Sequence, residues 1–302
     1  MRVLITGGAG FIGSNLVSAL QGKADITILD NLRTGSLENL RGLKYKFIGG
    51  SITNRTAISV AMRDIDYVFH LAALTSVQES ITNIEECVDI NSYGLLNVLE
   101  CANTNNVKKV IFASSAAVYG DAIAIETSTV NPKSPYAITK LKGEIYTNLN
   151  SSNNISFRFF NVFGPNQAAS NDYSSVIPIF INKALNNKTI CINGDGEQTR
   201  DFIFVNDIVN ALIYSTRNDM YGVYNIGYGN SISINELASS IITFTNSNSR
   251  ITHTDAKHGE VLHSCSKINK LLSTGYTFTN SFEEGLKKTI NNIVDNQYTN
   301  CK

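Results

Sequence analysis

Tyr136 and Lys140 stand four residues apart in Tyr136-Ala137-Ile138-Thr139-Lys140, directly after Ser134-Pro135. Ser can cap the free N–H groups of a helix start, and Pro tolerates the first helical position. The stretch therefore predicts a helix over 135–150, with the phenol and the ammonium on one face. A nearby positive charge favours phenolate and lowers a Tyr pKa from its usual value of about 10. Tyr136 could then serve as a base near neutral pH. Because Tyr and Lys also share this spacing on ordinary surface helices, the pair gains meaning only from its surroundings.

The second stretch with chemistry in its spacing is Thr6-Gly7-Gly8-Ala9-Gly10-Phe11-Ile12-Gly13. It follows an apolar run and opens a helical pattern. The glycines at 7 or 8, 10 and 13 permit a tight turn and close backbone approach to a pyrophosphate, which the helix N-terminus would attract. Asp30 ends the next apolar run, 17 residues after Gly13. A carboxylate there can accept hydrogen bonds from an adenosine ribose and repels a 2′-phosphate, so NAD is the expected cofactor. Arg33 is the dissenting residue, since it could meet a phosphate.

These motifs require a particular frame. Strands are predicted over 2–6, 25–30, 45–48, 67–71, 110–114 and 156–160, each rich in Val, Ile or Phe and bounded by turn formers. Helices are predicted between them, over 11–21, 55–62, 84–103 and 135–150. The alternation argues for an α/β fold, a Rossmann-like doubly wound parallel sheet. After Gly164-Pro165 the pattern changes to a polar loop over 166–174. Helices at 176–186, 207–216, 234–244 and 282–294 follow, mixed with short strands at 189–192, 200–205 and 223–226. The expectation is an NAD-binding region over 1–161 and a smaller mixed α/β substrate-binding region over 162–302, with some exchange of chain and a cleft between them.

Composition narrows the partners. The chain has 302 residues with 25 Lys+Arg against 25 Asp+Glu, so no charge excess points to nucleic acid. No apolar run approaches the ~20 residues that span a bilayer, and the N-terminus runs straight into a core strand, leaving no room for a signal peptide. Five scattered cysteines with no CxxC spacing fit a reduced, cytoplasmic protein without a metal framework.

Four further segments complete a pattern: His70-Leu71-Ala72-Ala73, Ser114-Ser115-Ala116-Ala117-Val118-Tyr119-Gly120, Arg158-Phe159-Phe160-Asn161, and Gly194-Asp195-Gly196-Glu197-Gln198-Thr199-Arg200-Asp201-Phe202. Together with the Gly-rich turn and Tyr-x-x-x-Lys, the chain resembles the extended short-chain dehydrogenase/reductase family, and within it the UDP-hexose 4-epimerases. The resemblance implies that Ser115, Tyr136 and Lys140 are catalytic. Tyr136 would take the C4 hydroxyl proton while hydride leaves C4 for nicotinamide, and the 4-keto sugar would be re-reduced on its other face. Lys140 would hold the nicotinamide ribose.

The resemblance also assigns contacts. Gly7, Gly10, Phe11, Ile12 and Gly13 would hold the pyrophosphate, and Asp30, Asn31, Thr34 and Gly35 the adenosine. Ser51, Ile52, Leu71, Ala72, Ala73 and Thr75 would line the adenine and ribose walls, with Asn91 and Phe160 towards nicotinamide. Ser51 departs from the Asp usual in the family. On the substrate side stand Thr75, Ser115, Tyr136, Asn161, Val176, Arg200, Lys257, Glu260 and Ser264. Lys257 replaces the family's Arg and loses its bidentate fork. Ser264 stands where some members carry a bulky Tyr, leaving volume for an N-acetyl group.

Among relatives, dehydratases place Asp-Glu after the hydroxyl residue and decarboxylases a Glu in this loop. Here Ala116 and Ala117 can transfer no proton. The reductive epimerases' Cys/His pair is also missing. A non-catalytic dinucleotide sensor of the same fold would be expected to lose Tyr136 or Lys140. Helices 84–103 and 135–150 resemble a pair that forms a four-helix interface in relatives, so a homodimer is expected.

Overall fold

The computed structural model describes residues 1–120, 124–168, 175–217, 219–256 and 262–299. Seven strands form one wholly parallel sheet: β1 (Arg2–Thr6), β2 (Asp25–Asp30), β3 (Lys46–Gly49), β4 (Tyr67–His70), β5 (Lys109–Ser115), β6 (Ile155–Phe159) and a downstream strand, Gly222–Ile226. From one edge the order is the downstream strand, then β6, β5, β4, β1, β2 and β3. Val3, Leu4 and Ile5 of β1 are wholly buried. Both faces of a parallel sheet are covered, so its strands read as continuous apolar runs.

The connections are helical: α1 (Phe11–Ala19), α2 (Arg55–Ala61), α3 (Val77–Thr82), α4 (Ile84–Val88), α5 (Gly94–Thr104) and α6 (Pro135–Asn150). In α6 the Ser134 side chain accepts from Ala137 N–H at 3.2 Å and Pro135 is the first residue, as the sequence predicts. The single helix expected over 84–103 is divided. A π turn, Asp89–Tyr93, joins α4 to α5. Within it Asn91 is fully committed: its Oδ1 accepts from Leu74 N–H at 2.8 Å, and its Nδ2 donates to Leu74 O and Thr139 Oγ1. The six residues of α3, capped by Ser76, are too few for a periodic signal and were not foreseen.

The second half adds β7 (Asn161–Phe163), α7 (Val176–Leu185), β8 (Ile190–Asn193), β9 (Thr199–Arg200), β10 (Phe202–Phe204) and α8 (Val205–Ser215). After β11, the Gly222–Ile226 strand of the main sheet, come β12 (Ile232–Ser233), α9 (Ile234–Phe244), β13 (Ile251–Thr254), α10 (Asn269–Leu272) and α11 (Phe282–Thr299). β10 pairs with β7 and β13 with β8 in parallel; β12 pairs with β9 antiparallel. The strand expected over 200–205 is split at Asp201. Its buried carboxylate accepts from the N–H groups of Tyr228, Gly229 and Ser266 at 2.7, 3.0 and 2.9 Å, pinning three segments together. Among the described residues no helix is long and apolar enough to cross a membrane, and no His/Cys/Asp/Glu group could hold a metal.

His70, at the end of β4, is 2% exposed, stacks on Phe112 and has its Nδ1 2.9 Å from Thr6 Oγ1. Burial, then the charge of Lys140, pushes its pKa down to about 3 from 6.5. The folded chain keeps this ring neutral where the unfolded chain would protonate it. The resulting stability is fully present above about pH 6.5 and is lost as pH falls towards 3, at about 1.4 kcal/mol per pH unit. His70→Asn should therefore flatten the melting temperature against pH between pH 6 and 4. Equal slopes for the two proteins would contradict it.

Candidate active site

A cavity of about 860 Å³ runs along the C-terminal ends of the central strands. Its floor is the crevice where β1 and β4 lie side by side while their following connections diverge, the usual ligand position in such sheets. The Gly-rich turn forms one wall. Gly7 has φ +72°, a backbone conformation that favours glycine, and a Cβ on it would come within 2.8 Å of Ala72 N. At Gly13 a Cβ would lie 2.2 Å from Gly7 O. The turn is thus closed against its own backbone and the exit of β4. Gly10 caps α1 with no side chain, and Gly10, Phe11, Ile12 and Gly13 all face the cavity. The first N–H groups of α1 are left open to an anion, and a pyrophosphate fits.

At the end of β2, Asp30 Oδ2 accepts from Ala9 N–H at 2.9 Å and Oδ1 from Leu32 N–H at 2.8 Å. This ties the Gly-rich turn to the adenosine end. Asn31, Thr34 and Gly35 line that end, with Ser51 and Ile52 on the neighbouring wall. Leu71, Ala72, Ala73 and Thr75 leave β4 along the floor. The residues fit a dinucleotide along the length of the cavity. Asn91 lies beneath this wall instead of on it, because its amide already bonds Leu74 and Thr139.

The other end brings together Ser115, Tyr136, Lys140, Phe160 and Asn161. Lys140 is buried and its Nζ donates to Ala113 O at 2.7 Å, lying 5.8 Å from the Tyr136 ring centre. Burial pushes its pKa down to about 8, against the pull of Cys87 and Glu144. The expected depression of the Tyr136 pKa is corrected by the structure. Enclosure by protein pushes the phenol up, and a hydrogen bond with Ser115 only partly offsets this. The ammonium is engaged by the β5 carbonyl instead of the phenol oxygen. Ser115 Oγ also accepts from Ala117 N–H at 3.1 Å, starting a short 3₁₀ turn, Ala116–Tyr119.

Behind Ser115 lies a buried polar network that sequence reading missed. Glu144, one turn beyond Lys140 on α6, accepts from Arg158 Nε and Nη2 at 2.8 and 2.7 Å and also from Ser114 Oγ. Arg158 lies 4.7 Å over the Tyr119 ring, whose hydroxyl donates to Asn225 Oδ1 at 2.7 Å. The pair fixes the end of β5, and so the site of Ser115, to α6 and β6.

The substrate residues divide. Thr75 and Asn161 line the cavity; Val176, Arg200 and Ser264 do not, although Ser175 does. Asn161 N–H and Nδ2 both reach Asp201 O, at 3.0 and 3.2 Å, which puts Arg200 one residue beyond the cavity edge. Ser264 N–H donates to Thr199 O at 3.2 Å and Arg200 Nη1 to the same carbonyl at 2.9 Å, so these two lie together. Lys257 and Glu260 lie outside the described residues. Asn166, Gln167 and Ala168 also line the cavity. Asn166 Nδ2 donates to Ser14 Oγ at 3.1 Å, and Gln167 Oε1 is buried with no partner. Their signal was only a polar loop after Gly-Pro.

A Gly-rich turn at a parallel-sheet crevice, an acidic β2 terminus and a Ser/Tyr/Lys set define an extended short-chain dehydrogenase/reductase. The chain belongs to the NAD dependent epimerase/dehydratase family, which it matches over residues 3–227. Its cofactor is NAD. It is similar to a UDP-N-acetylglucosamine 4-epimerase from Methanobrevibacter ruminantium M1 solved with UDP-N-acetylmuramic acid: 37% identity, 98% of each chain covered, TM-score 0.93. A UDP-glucose 4-epimerase from Thermotoga maritima solved with UDP-glucose is 31% identical, with 98% of this chain and 100% of that one covered and a TM-score of 0.93. A UDP-N-acetyl-alpha-D-glucosaminuronate decarboxylase of Bacillus cytotoxicus is 35% identical over 312 residues, covering 96% of each.

Proposed function

We propose that this protein interconverts the C4 epimers of UDP-hexoses, UDP-glucose with UDP-galactose and UDP-GlcNAc with UDP-GalNAc. The observation that carries the reading is the turn after Ser115. The Ser/Tyr/Lys set is gathered at one end of the cavity, while Ala116 and Ala117 put no acid beside it to expel water or assist decarboxylation. Two of the relatives described above are named as 4-epimerases of UDP-sugars, one of them acting on an N-acetylated sugar. The N-acetylated substrates rest on that similarity, since Ser264 does not line the cavity.

NAD, when bound, supplies a reversible acceptor for the hydrogen at C4. In this scheme Tyr136 removes the C4 hydroxyl proton and returns it after the sugar has turned, and Ser115 orients that hydroxyl. Lys140, held by Ala113 O, supplies fixed positive charge behind the phenol. Asn161, on the cavity wall, takes the diphosphate side. The labour divides near residue 161, cofactor before it and nucleotide sugar after it. Purified protein incubated with each UDP-sugar, with no NAD added, should yield the C4 partner by chromatography. Carbon dioxide release from UDP-glucuronate, with no C4 pair converted, would sink this reading in favour of a decarboxylase.

We also propose a homodimer through α5 and α6. Leu96, Ile145 and Leu149 are exposed there, Leu149 at 76%, around a groove also lined by Tyr93 and Tyr146. An apolar face of two helices suits a second copy. Leu149→Asp with Ile145→Asp should halve the mass found by sedimentation; an unchanged mass would place the interface elsewhere. The four free cysteines among the described residues suit a cytoplasmic setting.

A further inference from the structure

Arg33 lies on the adenosine wall of the cavity, three residues beyond Asp30. From sequence alone it argues for a 2′-phosphate, since an Arg near this position accommodates one. In the structure its guanidinium is already occupied. Nη2 donates to Glu79 Oε1 at 2.6 Å and to Glu86 Oε2 at 3.0 Å, while Nη1 donates to Glu86 Oε1. Glu86 thus takes both arms of the fork, the strong bidentate arrangement. Both carboxylates come from elements distant in sequence, Glu79 from α3 and Glu86 from α4. The loop bearing Arg33 is set by Asp30 Oδ1 accepting from Leu32 N–H, with Leu32 at φ 58°.

We propose that Glu79 and Glu86 are specificity-determining residues, which hold the coenzyme choice at NAD by ion-pairing Arg33, the cation on this wall among the described residues that could receive a 2′-phosphate. Two carboxylates thus flank one guanidinium. A phosphate dianion arriving there meets net negative charge, and to recruit Arg33 it must displace two partners. A ribose hydroxyl meets no such opposition, because Asp30 keeps lone pairs to accept from it. Any single half-exposed ion pair contributes little to stability. The effect therefore belongs to selectivity and not to folding.

Protein as purified is equilibrated with equimolar NAD⁺ and NADP⁺, freed of unbound nucleotide by rapid gel filtration, and its retained nucleotides are released by acid and quantified. The wild type should retain NAD⁺. In Glu79→Gln/Glu86→Gln the retained NADP⁺ to NAD⁺ ratio should rise roughly ten- to a hundredfold, as expected for one or two charged hydrogen bonds to phosphate. Adding Arg33→Gln to that variant should return the ratio to the wild-type value. No rise in the double variant overturns the proposal, and so does a rise that survives loss of Arg33, which would be a charge effect alone. Should the double variant retain no nucleotide, Glu86→Gln alone carries the test, with a severalfold rise expected and an unchanged ratio overturning it. The readout needs no sugar, so a protein that keeps NAD yet epimerises nothing would sink the proposed reaction and leave this inference standing.

Discussion

Tyr136→Phe is expected to lower turnover of a UDP-hexose by about a thousandfold, while retained NAD and melting temperature stay at wild-type values. The variant removes one oxygen from the cavity end where Ser115, Tyr136 and Lys140 meet, the oxygen that the proposed scheme gives the C4 hydroxyl proton. General acid–base groups typically contribute roughly 10²–10⁴ in rate. Fold and cofactor site should be untouched, because Tyr136 N–H stays on Ser80 Oγ at 3.2 Å and the ring keeps its position on α6. The burial that raises the phenol pKa sharpens the point: the deprotonating environment must be completed by what binds, with Lys140 already fixed on Ala113 O. Turnover within tenfold of wild type would assign the proton step to another group.

Glu144→Ala should destabilise the fold by about 3–5 kcal/mol, the usual cost of stranding one partner of a buried ion pair. Arg158 is 4% exposed and its partner Glu144 also 4%, with Nη1 of Arg158 already lacking a hydrogen bond. Removing the carboxylate leaves the guanidinium over the Tyr119 ring without its ion-pair partner. It also frees Ser114, so the end of β5 beside Ser115 loses its anchor. Replacing both partners by apolar residues, Glu144→Leu with Arg158→Met, should cost less than either single change. Denaturant titration measures all three proteins. A double variant that loses the sum of the two single losses would mean that the pair carries no coupling.

The parts of the molecule legible in the sequence are those whose cause is local. Strands β1 and β2 read true to the residue because both faces are buried and turn formers bound them. The start of α6 was written in Ser134-Pro135, and the phosphate turn in its glycines. The π turn was hidden because 84–103 has one helical periodicity throughout. What inserts the extra residue is Asn91 bonding Leu74, 17 residues upstream. Asn91 therefore serves the π turn and not the cavity surface.

Long-range pairings were equally invisible. Arg33 meets Glu79 and Glu86 across 46 and 53 residues, so an exposed-looking cation turned out to be neutralised. Ser264 and Arg200 come together only because 262–264 lies along Thr199. The site itself was largely legible because its residues sit on strand exits, where motif and position coincide. The substrate side was less legible: Val176, Arg200 and Ser264 do not line the cavity, while the loop bearing Asn166 and Gln167, whose polar sequence reads as any surface turn, does, with Asn166 bonding Ser14.

The most direct test of C4 epimerisation is the fate of a deuterium placed at C4 of UDP-glucose, followed by NMR in ordinary water without added NAD. The account predicts UDP-galactose with deuterium still at C4, because the hydrogen leaves that carbon and returns to it within one closed site. Deuterium recovered at C6 of a 4-keto-6-deoxy sugar, or lost to solvent, would contradict it and make the protein a dehydratase or another enzyme of its family.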